Sequence, residues 1–80
     1  MYWLHTTFKD YCDRKGIHLL KDDLKFIIKV LNNLPPNSHK SIMRDYCDKW
    51  LHTLEKEKNS SQRQNLARRA SNSWLVNKVL

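Results

Sequence analysis

A single glycine, Gly16, serves the whole 80-residue chain, and its two prolines, Pro35 and Pro36, are adjacent. A sheet protein of this size needs several tight turns, and tight turns draw on glycine for their positive φ. A chain with so few places to reverse direction is built from long regular elements, and helix is the reading. The apolar fraction is 40%, with three Trp, three Tyr and two Phe, too rich in large side chains for a disordered tail despite a net charge of +7. The length suits one domain spanning 1–80, near the lower limit at which a hydrophobic core holds a fold unaided.

Periodicity and punctuation predict an all-α, compact bundle of four helices, at about 2–15, 22–34, 38–57 and 61–79. In the first, Leu4, Phe8, Tyr11 and Cys12 recur at helical spacing, and Gly16 supplies the left-handed stop. The second is apolar over well over half its circumference, with Lys21, Lys25 and Lys29 as one wet stripe and Asp22 or Asp23 as the expected cap. Pro35-Pro36 ends it. Asn37 or Ser38 is expected to cap the third, whose buried stripe is Ile42, Met43, Tyr46, Cys47, Trp50 and Leu54. Asn59-Ser60-Ser61 forms the last turn and caps the fourth, whose core stripe is expected to be Leu66, Ala67, Ala70 and Trp74.

One internal echo stands out. Asp10-Tyr11-Cys12-Asp13 recurs as Asp45-Tyr46-Cys47-Asp48, which aligns the first helix with the third, as in two stacked helical hairpins. The offset is close to the tetratricopeptide period, but that repeat's Gly and Ala positions are not filled. Duplication accounts for the echo, and so does the shared preference of Tyr and Cys for core positions.

The four His and two Cys do not have metal-ligand spacing. Cys47 and His52 are five apart and Cys12 and His18 six apart, whereas ligands sharing a helix face are three or four apart. Buried free thiols are the expected state of the cysteines, a Cys12–Cys47 disulfide being conceivable but exceptional in a reducing compartment. No Gly-rich nucleophile turn, phosphate loop or acidic metal cluster is present, so neither an enzyme, a cofactor nor a small-molecule substrate is expected. No apolar run is long enough to cross a bilayer, and the start has no secretory character. A cytoplasmic protein without a membrane partner follows as the expectation.

Charge is the strongest functional signal. Residues 1–20, 21–34 and 35–58 each carry net +1, while 59–80 carry +4, from Arg63, Arg68, Arg69 and Lys78 with no acid. A chain built only for solubility interleaves signs, as the third helix does. On a helical wheel Arg68 and Arg69 share a face with Asn65 and Asn72, side chains that grip phosphate and read base edges. The expected nucleic-acid-binding set is therefore Arg63, Asn65, Arg68, Arg69, Asn72 and Lys78, with Lys40 and Arg44 as an extension. A helix-turn-helix built on Cys12 and Gly16 fails, because a branched apolar residue is required where Asp22 stands. The stretch 65–75, following Leu-Pro-Pro and the Tyr-Cys-x-x-Trp helix, is faintly similar to bacteriophage replication proteins. It covers less than half the chain, carries no diagnostic residue and assigns no family.

Beyond Trp74 the fourth helix changes character. Leu75, Val76 and Val79 swing toward the side that carries Arg68 and Arg69 and need cover. Helix one could supply it through Tyr2 and Trp3; otherwise the patch seats a protein partner or a second copy. The leading expectation is a non-catalytic bacterial or phage accessory protein that binds DNA or RNA through its fourth helix. The rival is a protein-binding adaptor or inhibitor working through Leu75, Val76 and Val79.

Overall fold

In the computed structural model the described backbone runs over residues 2–79, with side chains described for 8–78. Four helices follow one another: α1 (Tyr2–Arg14), α2 (Lys21–Asn32), α3 (His39–Lys56) and α4 (Arg63–Val79). No strand occurs among the described residues. This is the four-helix, all-α bundle that the periodicity predicts, with ends that move by a residue or two. The Cα radius of gyration is 12.1 Å, close to the ~12 Å of a compact chain of this length.

Local chemistry explains each boundary. Gly16 takes φ of 78° after α1. Its N–H donates to the Asp13 carbonyl at 3.3 Å, and the Ile17 N–H reaches back to the Cys12 carbonyl at 2.9 Å. That is the glycine-terminated helix end in which the residue after glycine packs against the last turn, and Ile17 and Cys12 are both fully buried. At the start of α2, neither Asp22 nor Asp23 is the capping residue as expected. Lys21 already begins the helix, and Asp23, two residues in, accepts the Leu20 N–H at 3.0 Å through Oδ2. A carboxylate inside the first turn satisfies an orphan donor and suits the helix dipole.

α2 stops at Asn32, earlier than expected, because the Asn33 and Leu34 N–H groups tighten onto the Val30 and Leu31 carbonyls before Pro35. The His39 side chain closes this end: its Nε2 lies 2.6 Å from the Leu31 carbonyl and 3.1 Å from that of Leu34. Ser38 stands at the N-cap position of α3, as expected, but its side chain makes no capping bond. A 3-10 turn over Pro36–Ser38 intervenes, and the Ser38 hydroxyl donates to the Pro35 carbonyl at 2.8 Å. Before α4, the Ser60 hydroxyl accepts the Gln62 N–H at 3.0 Å.

The core is centred on α3, whose Tyr46, Cys47 and Trp50 are fully buried. Phe8 and Cys12 of α1 and Leu24, Ile27 and Leu31 of α2 pack with them. α3 and α4 make the most extensive helix contact. Of the expected stripe of α4, Ala67 is fully buried and Trp74 packs against the core, but Leu66 and Ala70 are partly exposed, and Ser71 and Leu75, each fully buried, take their place. Small side chains at Ala67 and Ser71 let the two helix backbones approach. Leu75 is therefore core, not part of a patch awaiting a partner. The Val79, Tyr2 and Trp3 side chains, invoked for that patch and its cover, lie outside the described residues.

Candidate nucleic-acid interface

Beside its narrow apolar stripe, α4 presents a second inward row at four-residue spacing: Gln64, Arg68 and Asn72. These polar residues are why apolar periodicity misplaces the buried side. Gln64 Oε1 accepts from Trp50 Nε1 at 2.9 Å and from the His18 N–H at 3.3 Å, and its Nε2 donates to the Gly16 carbonyl at 3.2 Å. Arg68 Nε donates to Asp23 Oδ2 at 2.6 Å, and its terminal nitrogens reach Asn65 Oδ1 at 2.6 Å and the His18 carbonyl at 2.8 Å. The guanidinium also lies 5.3 Å from the centre of the Trp50 ring. Asn72 accepts from the Tyr46 hydroxyl at 2.6 Å and donates to Asp23 Oδ1 at 3.4 Å.

These bonds form a clasp that seats α4 on three neighbours at once: the α1–α2 loop, the start of α2, and α3. Asp23 is its centre, a buried carboxylate accepting from Leu20, Arg68 and Asn72. Such a group is tolerable inside a protein only when its charge is paired and its lone pairs are occupied. Arg68 is 16% exposed and Asp23 6% as side chains, so the pair is largely shielded from water. Burial, and then the Asp23 charge, pushes the Tyr46 phenol well above its ordinary 10.0, so Tyr46 stays a donor to Asn72.

The expected phosphate-binding set therefore divides. Arg68 and Asn72 are engaged inside the fold, and Asn65 supports Arg68 from the surface. Arg69 and Lys78 are exposed, with the Lys78 ammonium 5.7 Å from the Trp74 ring centre, and Arg63 is half exposed. Lys40 and Arg44 sit elsewhere. Both are exposed residues of α3.

What the sequence reading missed is the neighbour of α4. Asp23, Arg68 and Asn72 bind α2 beside α4, and Lys21, Lys25 and Lys29 stay exposed on α2. Together the two helices carry Lys21, Lys25, Lys29, Arg63, Arg68, Arg69 and Lys78 against Asp22 and Asp23. Asp23 is buried, leaving Asp22 as the exposed carboxylate of the pair. Between the helices runs an open groove of about 380 Å³ lined by Phe26, Asn72, Ser73, Val76 and Asn77. Arg69 precedes Ser73 by one turn on one wall, and Lys29 follows Phe26 by one turn on the other. The lysine stripe was visible in the sequence; the contact of its helix with α4 was not.

Fold and site together define a small all-α bundle with one cationic helix pair. No protein-family model, characterised protein or solved structure matches the chain. Among the described residues no helix is long and apolar enough to cross a membrane, and no three His, Cys, Asp or Glu side chains gather as metal ligands would.

Proposed function

We propose that this protein is a non-catalytic accessory protein, of bacterial or phage type, that binds DNA or RNA through the combined α2–α4 face. The observation that carries the reading is the charge of that helix pair: seven cations against two carboxylates, one of them buried under Arg68. Lys21, Lys25, Lys29 and Arg69 are the residues assigned to phosphate, with Arg63 and Lys78 at the margins. Long cationic side chains held on two adjacent helices can follow a phosphate backbone and release its counterions. Arg68 takes the indirect role of fixing the distance between the two helices.

Fluorescence anisotropy with labelled single strands and duplexes over a range of salt tests this. Binding should weaken as salt rises, with a log–log slope of about 0.9 per duplex phosphate contacted. Replacing Lys25, Lys29 and Arg69 together by Ala should lower that slope by roughly 2.7. Absence of binding to any of the probes at low salt would end the reading.

The rival, a protein-binding adaptor, has lost Leu75 to the core. It now rests on Val76 and Phe26 in the groove and on Leu20, which is 57% exposed. Val76→Asp separates the two: it should leave salt-dependent binding of nucleic acid in place but abolish capture of a protein partner.

A further inference from the structure

Cys12 and Cys47, the matched cysteines of the repeated Asp-Tyr-Cys-Asp, meet across α1 and α3 with their Sγ atoms 3.6 Å apart. Both are fully buried and unbridged. Neither takes part in the clasp or in the α2–α4 face. The helices that carry them are already in register there: one turn before Cys12, the Phe8 ring stands edge-on to Tyr46, with centres 6.2 Å apart. A disulfide requires sulfurs ~2.05 Å apart, so closing the pair brings the sulfurs together by only about 1.5 Å.

We propose that Cys12 and Cys47 form an oxidative cross-linking site that takes a low-molecular-weight disulfide as oxidant and fastens α1 covalently to α3. In the closed fold the hydrogen bond between the thiols, and then burial, raises the Cys12 thiol far above its ordinary 9.0. The reaction therefore proceeds through local opening of α1, which exposes the sulfurs. One cysteine, as thiolate, attacks the oxidant's S–S bond, forming a mixed disulfide and releasing the first small thiol. Reclosing of α1 brings the second cysteine onto the protein sulfur of that mixed disulfide, and the second small thiol leaves. Two protein thiols are oxidised, one external disulfide is reduced, and the two protons end on the released thiols. The bond closes a loop from residue 12 to residue 47, and a domain this short gains most from such a staple.

The test is an equilibrium of the intact protein in glutathione redox buffers, run folded and in guanidinium chloride, then acid-quenched, alkylated and weighed by mass spectrometry. If folding sets the sulfurs together, the internal disulfide should be favoured in the folded chain over the unfolded one by on the order of a hundredfold. The oxidised protein should also unfold at higher denaturant concentration, a shift that neither Cys12→Ser nor Cys47→Ser shows on the same treatment. Equal disulfide formation in the folded and unfolded chains overturns the proposal. So does a folded protein that stays reduced, or one that yields glutathione adducts or linked dimers in place of the internal bond.

Discussion

On α1 and α3, positive and negative side chains alternate: Lys9, Arg14, Lys40, Arg44, Lys49 and Lys56 against Asp10, Asp13, Asp45, Asp48 and Glu55. The Lys9–Asp13 ion pair there, at 3.2 Å, lies between two half-exposed side chains and adds little to stability. On α2 and α4 seven cations face two carboxylates, and the one ion pair among the described residues, Arg68–Asp23, is shielded from water and tied into a network. The first pair of helices carries only one net positive charge and owes its place to apolar packing around Cys12, Tyr46 and Cys47. The second pair uses one charge to hold itself together and leaves the others exposed. Residue type alone does not separate these roles: Arg68 and Arg69 are neighbours in sequence, yet one is a structural bolt and the other a free surface cation.

The largest effect that would break this contrast is on the bolt. Arg68→Ala leaves Asp23 buried without its partner and should cost about 3 kcal/mol in urea unfolding, as removal of one member of a buried pair does. Arg69→Ala, one residue away, should stay within about 0.5 kcal/mol of the parent. If the two variants unfold alike, the clasp is not what seats α4.

The second contrast concerns binding. Lys25→Glu with Lys29→Glu should nearly abolish retention of a labelled oligonucleotide at low salt, while Lys40→Glu with Arg44→Glu, on α3, should weaken it only through net charge. Equal losses would show that total charge, and not the α2–α4 face, governs association.

A third effect is expected in alkaline solution. The folded-state pKa values of Cys12 and Tyr46 are raised above their ordinary 9.0 and 10.0. The unfolded chain therefore gives up these protons first. Stability from this source is complete below about pH 9 and falls as pH rises above 9 to 10, before the folded groups ionise. Urea midpoints measured from pH 8 to 11 should decline, and Cys12→Ala should remove the earlier part of the decline.

The smallest effect belongs to Ser71, whose hydroxyl is fully buried with no hydrogen-bond partner among the described residues. Ser71→Ala should be neutral or stabilising by up to about 1 kcal/mol in the same unfolding assay, since it removes an unpaired polar group from the α3–α4 contact. A loss larger than that would mean the hydroxyl has a partner after all.

The sequence by itself determined that the chain is helical, where its four helices lie, and how α1 and α3 face the core. Scarce glycine, the Gly16 stop, the Pro35-Pro36 break and strong apolar periodicity are local signals, written within a few residues of what they control. That Cys12 and Cys47 both face the core was legible in the same way, from apolar periodicity. Only the tertiary structure decided the inner side of α4. Its contacts are made by small and polar residues, Ala67, Ser71, Gln64, Arg68 and Asn72, whose burial depends on partners on other elements and so leaves little apolar period to read. The site followed the same rule. That α4 is rich in cations could be counted along the chain, but that α2, with its lysines, packs beside it was decided by one carboxylate, Asp23, bonded to Arg68 across a separation of 45 residues.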